Sequence, residues 1–462
     1  MPDLPPLPRV LVLIANEAVD DPRVARQVAA LDSAGHDVDV IGVSDNATPP
    51  VTMPGARSLR HVSGLKATYQ EISAIALTAV ALCLLGLIAI AIRFPDLFDR
   101  TWLVGGVVFV GVICLATVRH LAMRRAQGKR TADPAPGAWR LKIAEQLNRF
   151  AAWRLTQRFV SEAGSADYDV VHAHEPDTLF AGKRIATRQQ ARLIYDAHEY
   201  YAGQQGASEQ TVRQYMHTLD SCAEDIDLLV TVSNSMGEAT RQLHPALPEY
   251  ALVTNSGARF PTASYDNRLH DACNARPGDR ICLFQGGLSR GRGLEKLVEA
   301  AQQLAGHWRV AVIGSGAIAA DLQAADVSGR VYFLGRKPPD ELWRWTQGAD
   351  LGFVGYEASC ENHRVSLPNK IWEYAVCEVP SLVGDLPEAR DYVLKHECGF
   401  VLPPKYTSAD LVEQIGALNT TRLASAVEGA RRIAAAERAG AYQNMLLSAY
   451  ASAAAAPAKR SR

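Results

Sequence analysis

Apolar and polar positions along this 462-residue chain alternate in two rhythms. Short runs rich in Val, Ile and Leu, bounded by Gly, Pro or acidic residues, predict buried strands, and the stretches between them carry apolar residues at helical spacing. Residues 9–15 predict a strand, 21–34 the helix after it, stopped by Gly35, and 37–43 a second strand. That is the β-α-β opening of a parallel sheet. The rhythm resumes at 169–172, 192–195, 227–232 and 250–253, and again at 281–285, 308–313, 330–334, 349–354 and 380–383. Residues 261–278, polar with Pro and Gly, predict a linker, and the chain from 409 reads as helix ending in an alanine-rich basic tail. The pattern predicts an α/β protein of two doubly wound, Rossmann-like domains, over 1–260 and 279–440, with a C-terminal helix and tail over 441–462. In Asp37-Val38-Asp39 the acids alternate with valines, which predicts a solvated edge or strand end in preference to a metal-binding pair.

Two charge-free runs interrupt the first set of strands. Residues 72–92 carry no charge and are long enough to cross a bilayer core as a helix. Residues 102–118 are also uncharged and slightly short, and 93–100 join the two with balanced charge. Arg57, Arg60 and Lys66 precede the pair; Arg119, Arg124, Arg125, Lys129 and Arg130 follow it. By the positive-inside rule both flanks are cytoplasmic. The expectation is a transmembrane hairpin at 72–119 that makes the bilayer a partner and puts a multi-pass protein at the cytoplasmic face of the cell membrane, both termini inside. Behind it, residues 138–162 place Trp139, Ile143, Leu147, Phe150 and Trp153 at helical spacing among Arg140, Lys142 and Arg149. This predicts an amphipathic helix, either on the membrane surface or packed on the core.

Composition narrows the function classes. A formal charge of −1 supplies no basic field for nucleic acid. Eight cysteines without CxxC or ligand spacing read as free thiols in a reducing compartment, not as disulfides or a zinc site. Residues 1–8 are proline-rich and the apolar run 10–15 is too short for a secretory signal.

Candidate chemistry gathers at predicted strand ends, where α/β sheets bind ligands. Residues 361–374, E-N-H-R-V-S-L-P-N-K-I-W-E-Y, follow the strand-like run 349–354 and lead into a helix predicted to start near Pro368. Its first turn would point free amides at the preceding loop, with Lys370 adding a charge and Glu373 reaching back from i+3. Amides and an ammonium suit a diphosphate; a carboxylate suits sugar hydroxyls. A surface helix with an ordinary Lys/Glu pair is the plainer reading of the same residues. His172, His174 and Glu175 close one strand, and Asp196, His198 and Glu199 the next. Gly286-Gly287-Leu288-Ser289-Arg290-Gly291-Arg292-Gly293 closes another, its glycines admitting a phosphate that Arg292 neutralises. Val312-Ile313-Gly314-Ser315-Gly316 fits a dinucleotide fingerprint, but no acidic residue follows Gly335-Arg336 to hold a ribose. A tight turn between strand and helix explains these glycines.

Together these segments resemble the retaining glycosyltransferases of family 4, with the GT-B fold. The resemblance rests on D-P-R-V-A-R-Q-V-A-A-L (21–31), V-V-H-A-H-E-P (170–176), L-I-Y-D-A-H-E (193–199), V-T-V-S-N (230–234), F-Q-G-G-L-S-R-G-R-G-L (284–294), V-I-G-S-G (312–316) and S-L-P-N-K-I-W-E-Y (366–374). It implies that Arg292 binds the donor diphosphate, with Gly286 and Gly287 in the same loop. Lys370 and the amides around Ser366 and Asn369 would sit on that diphosphate, Glu373 would contact the ribose, and His198 would stand near the donor sugar. Two positions depart from the family pattern: Gly287 stands where many members carry a second arginine, and Val365 where the first glutamate of a pair is expected. Glu361, Asn362 or His363 would then replace that glutamate in choosing the sugar.

The implied reaction moves a glycosyl unit from a nucleoside diphosphate sugar to an acceptor hydroxyl with retention, without a metal or other cofactor. The hairpin suggests a lipid-linked saccharide acceptor in cell-envelope glycan synthesis. Two rival readings are a catalytically silent membrane scaffold, favoured by the altered glutamate, and an NAD-dependent sugar-modifying enzyme, disfavoured by the missing ribose acid.

Overall fold

In the computed structural model of the chain, the residues described are 8–46, 49, 50, 52–76, 78, 82, 138–257 and 260–455. Thirteen parallel strands are described, the last six of them forming a sheet of their own. Contacts divide the chain into two compact units, residues 1–193 and 194–460.

In the first unit β1 (Val10–Leu13), β2 (Val38–Val43), β3 (Ser58–Val62) and β4 (Val170–His174) lie in the order β3-β2-β1-β4. All pair parallel, with Val10 opposite Val38 on one side and Val170 on the other. Every residue of β1 is buried, the mark of a strand covered on both faces. The helix Pro22–Ser33 follows β1 as expected; Asp21 caps it by accepting the N–H groups of Arg23 and Val24 at 2.9 and 3.1 Å.

Asp39 corrects its sequence reading. It lies near the start of β2, between β3 and β1, and is buried, not solvated. Arg9 Nη2 donates to its carboxylate at 2.6 Å, Ser58 Oγ at 2.5 Å and Tyr168 Oη at 3.1 Å. β3, which supplies Ser58, escaped the sequence reading because the five residues S-L-R-H-V alternate too briefly to register.

The expected transmembrane hairpin is also corrected. Most of 72–119 lies outside the described residues, and among the described residues no helix is long and apolar enough to cross a membrane. The start of the run continues a helix that begins at Leu65, with Ile72 and Ala76 buried in protein. That helix is tied to Ala138–Ala163: Tyr69 Oη donates to Asn148 Oδ1 at 2.9 Å and Arg158 pairs with Glu71 at 2.8 Å. The multi-pass location is therefore withdrawn. Ala138–Ala163 buries Leu147, Ala151, Leu155 and Phe159, a strict i+4 stripe, and leaves the expected Phe150 and Trp153 exposed. Core packing decides its face.

The second unit contains β5 (Arg192–Ala197, whose first two residues precede the division), β6 (Leu228–Thr231) and β7 (Tyr250–Leu252), paired parallel in that order. It also holds the whole second sheet: β8 (Arg280–Gln285), β9 (Trp308–Ile313), β10 (Val331–Gly335), β11 (Leu351–Val354), β12 (Ser381–Val383) and β13 (Gly399–Val401), in the order β10-β9-β8-β11-β12-β13. The order reverses between β8 and β11, so the carboxyl ends of these two strands open the crevice typical of doubly wound sheets. β13 was missed in sequence, being three half-buried residues at an edge.

One buried tyrosine ties that crevice together. Tyr374 Oη donates to the Leu283 carbonyl at 2.8 Å and accepts the Gln285 N–H at 3.2 Å, clamping the helix Lys370–Ala375 to the end of β8. Its ring lies against β11, where a Cβ on Gly352 would come within 2.3 Å of Tyr374 Cδ2. The expected linker is partly core: Arg268–Ala272 is a helix, and Leu269 and Cys273 are fully buried. The C-terminal helix Ala441–Ala455 buries Leu446, Tyr450 and Ala453, and Met445 Sδ accepts the Thr254 N–H at 3.4 Å just beyond β7. The six described cysteines are free, and burial pushes the thiols of Cys273, Cys282, Cys377 and Cys398 up to about 12.

The Asp39 cluster gives a stability prediction. Burial alone would raise the Asp39 pKa, but the Ser58 hydroxyl and the Arg9 guanidinium outweigh it and hold the carboxyl below its ordinary value. A depressed folded-state value means stability present above the unfolded value, roughly 3.9, and lost as pH falls through the folded one. Asp39→Asn is expected to lower urea stability at pH 7 by about 2–3 kcal/mol. The deficit should shrink as pH falls below roughly 4. A deficit that stays constant down to acid unfolding would show that the charge is not what matters.

Candidate active site

The chain leaving β8 forms the floor of the site. Gly286 adopts φ +141°, a backbone region that L side chains rarely occupy, and its N–H donates to Ile313 O at 2.9 Å. A Cβ there would lie 3.1 Å from Lys370 Cε and 3.5 Å from Arg292 Nη1. Two cations, 78 positions apart in sequence (370 minus 292), therefore stand over one bare Cα. A Cβ on Gly287 would also meet Arg292, at 3.6 Å from Nη1. Arg292 lies over the Tyr356 ring with Cζ 5.2 Å from the centroid, and among the described residues no carboxylate pairs with it.

Gly314 and Gly316 turn out to seat this loop. Gly314 has φ +152°, and a Cβ on it would fall 1.8 Å from Gly286 O; one on Gly316 would fall 2.2 Å from Leu288 O. Leu288 N–H donates to Ser315 O at 2.9 Å. The Gly-Ser-Gly turn is filled by the chain's own backbone, which leaves no room there for a dinucleotide pyrophosphate. The sequence reading placed the close contact between strand and helix; it lies between two loops.

Glu373 has its carboxylate held from several sides. Asn369 Nδ2 and Lys370 Nζ each donate to Oε1 at 3.1 Å, and Gln285 Nε2 donates to Oε2 at 2.8 Å. The Lys370 and Glu373 side chains are 16% and 24% exposed, so the pair is at the surface of the crevice yet mostly screened from bulk water. The expected i,i+3 pair is present, and the Lys370 side chain also passes Gly286 with its Cε. The helix expected to start near Pro368 begins at Lys370, with Pro368 O already accepting the Ile371 N–H at 3.3 Å; at six residues it is too short to bring a strong dipole to the site.

The short helix Glu361–Val365 joins the site to the chain after β5. Asn362 Oδ1 accepts the Tyr200 N–H at 2.7 Å and the Ser366 hydroxyl at 3.0 Å. His198, two residues before Tyr200, is half-buried at the end of β5. Ser233 Oγ donates to the Val365 carbonyl, and Ser235 N–H to Glu388 Oε1 at 2.7 Å. Val365 thus contributes its backbone where the family pattern has a carboxylate. His363 Nδ1 lies 3.0 Å from both Glu357 O and Ser359 Oγ. A Cβ on Gly291 would be 3.6 Å from its Cε1, so the ring borders the glycine loop. In the first unit, His172 and His174 are fully buried and stacked at 4.4 Å, and Glu175 begins the next helix at φ +63°.

Arg292, Lys370, Asn369 and Glu373 are thus brought together around Gly286 and Gly287, with Ser366 bonded to neighbouring Asn362. Sequence reasoning missed Gln285, Thr346, Tyr356 and the Tyr200–Asn362 bond. A glutamine at the end of an apolar strand carries no motif, and 162 positions separate Tyr200 from Asn362.

Comparison with known proteins places this geometry. Residues 279–420 match the family profile described as glycosyl transferases group 1, and residues 107–256 match the one described as glycosyl transferase 4-like domain. No curated protein matches the chain. Among solved structures it is similar to Anabaena HepE in complex with UDP-glucose, at 13% identity and a TM-score of 0.60, covering 96% of this chain and 99% of that one. It is similar to the sucrose-phosphate synthase of Thermosynechococcus elongatus, at 14% identity and a TM-score of 0.58 over 96% of each chain. It is similar also to an E. coli structure described as trehalose-6-phosphate bound with UDP-2-fluoro glucose, at 11% identity and a TM-score of 0.63 over 97% and 99% of the two chains. These likenesses show the fold, and the two profile matches lie on its two halves. The chain is a glycosyltransferase built of a group 1 domain over 279–420 and a glycosyl transferase 4-like domain over 107–256, in the fold of these structures.

Proposed function

We propose that this glycosyltransferase moves a glycosyl unit from a nucleoside diphosphate sugar to an acceptor hydroxyl, with retention at the anomeric carbon. The observation that carries the reading is the meeting of Arg292 and Lys370 over Gly286. Two cations against an exposed backbone suit a group with two negative phosphates, and the similar structures with UDP or a UDP-sugar bound support the same class of donor.

The chemistry follows from where charge develops. As the bond between the anomeric carbon and the diphosphate oxygen breaks, the electron pair stays on that oxygen and the sugar becomes oxocarbenium-like. The acceptor oxygen then bonds the anomeric carbon on the same face, and its proton passes to the departing phosphate oxygen. Fixed cations lower the barrier because they are already placed when the charge appears. Arg292 rests over Tyr356 and Lys370 is braced by Glu373, contacts that hold both side chains in place before the step. With two cations at the leaving group, transfer is proposed to proceed without a divalent ion, and rates should be insensitive to a chelator. His198 is assigned to the donor-sugar side, beside the chain that Asn362 anchors. The lipid-linked acceptor rested on the hairpin; with that withdrawn, the acceptor is proposed only as a hydroxyl compound.

A thermal-shift screen with UDP, GDP, ADP and their sugars tests the donor class, because a ligand of the native state raises the melting temperature. One nucleotide series should shift it and the others should not. Arg292→Ala and Lys370→Ala are each expected to cut turnover by about 10²-fold or more while melting near the wild-type temperature. Near-normal rates in both variants would remove the diphosphate from this place. Nucleotide binding without transfer or hydrolysis would favour the silent scaffold.

A further inference from the structure

We infer that Gln285 and Thr346 are positioning residues that aim the Glu373 carboxylate at a ring hydroxyl of the ligand, on the side of the diphosphate where Glu373 stands. The inference rests on the nucleotide-sugar reading and adds to it the residues that make hydroxyl recognition possible.

Gln285 and Thr346 are each 1% exposed, so neither touches bulk water. Thr346 Oγ donates to Gln285 Oε1 at 2.8 Å, and Gln285 Nε2 donates to Glu373 Oε2 at 2.8 Å. The single Thr346 proton also faces Leu342 O at 3.0 Å, so the amide orientation is set by Thr346 on one side and by the acceptor-only Glu373 carboxylate on the other. Turned the other way, its oxygen would face a carboxylate oxygen, and that repulsion disfavours the flip. The Gln285 main chain is held as well, by its N–H to Tyr374 Oη at 3.2 Å. A glutamine with its backbone pinned and its amide oriented has one remaining use, as a donor to Glu373.

An ionised carboxylate offers about four lone-pair positions. Asn369 and Lys370 take two on Oε1 and Gln285 takes one on Oε2. One position on Oε2 remains, on a side chain 24% exposed beside the Arg292–Lys370 cations. What fits there is a hydrogen-bond donor close to a diphosphate. Ring hydroxyls supply such donors on both sides of it, on the nucleotide's ribose and on the transferred sugar. Without Gln285 the carboxylate would rotate toward Lys370 and the directed lone pair would be lost.

The test compares wild type with Gln285→Leu, Thr346→Val and Thr346→Ser. Binding is measured by calorimetry for UDP, GDP and ADP, for the 2′-deoxy and 3′-deoxy forms of whichever binds, and for its glucose conjugate against the 2-deoxy- and 3-deoxyglucose conjugates. In wild type, removing the recognised hydroxyl should weaken binding by about tenfold or more. In Gln285→Leu and Thr346→Val that penalty should fall to near onefold, and in Thr346→Ser it should return. The penalty is a ratio within one protein, so a general loss of stability does not move it. Collapse with the deoxyribose forms assigns the ribose; collapse with the deoxyglucose conjugates assigns the transferred sugar. An unchanged penalty in both variants overturns the inference and leaves the nucleotide reading standing. Binding of no nucleotide by wild type overturns that reading and the inference with it.

Discussion

The site depends on one missing side chain. Gly286 leaves β8 at φ +141° with nothing on its Cα, and Arg292 and Lys370 close over the gap. Any Cβ there would meet both cations and would also strain the backbone. The rest of the second sheet's crevice can be understood as what keeps this arrangement in place. Gly314 and Gly316 give up their own side chains so that the Gly286–Leu288 backbone can lie on the end of β9. Tyr374 fastens the helix bearing Lys370 to β8 through two hydrogen bonds. Tyr356 lies under Arg292.

Charge and hydrogen bonding divide the labour around that gap. Arg292 has no carboxylate partner among the described residues, so its charge is available to a ligand. Lys370 is partly neutralised by Glu373, which is in turn held by Asn369 and Gln285. Such a chain of donors orients every member, and an oriented carboxylate discriminates hydroxyl patterns better than a mobile one. The loss of the family's usual glutamate at Val365 fits this economy. The Val365 carbonyl and the Asn362 amide are spent on fastening the chain after β5 and β6, through Ser233 and Tyr200.

Much of this was legible in the sequence because its determinants are local. The apolar runs of β8, β9 and β11 are continuous, and S-L-P-N-K-I-W-E-Y carries Lys370, Glu373 and Asn369 within five positions. What escaped depended on distance or on burial. Thr346, Gln285 and Glu373 come from three separate elements, and only the fold lines them up. Asp39 reads as a solvated acid until Arg9, Ser58 and Tyr168 close around it. The helix from Leu65 misled in the other direction. A charge-free run suits a bilayer and a protein interior equally, and Ile72 and Ala76 are buried in protein. Short edge strands such as β3 and β13 hold too few residues to show a period.

The central claim is that a diphosphate rests on Gly286 between Arg292 and Lys370. A crystal structure with a bound nucleoside diphosphate tests it most directly. The account predicts phosphate density over the Gly286–Gly287 backbone, with both side chains within about 3 Å of its oxygens. Well-ordered phosphates elsewhere, with Arg292 and Lys370 left facing solvent, would contradict it.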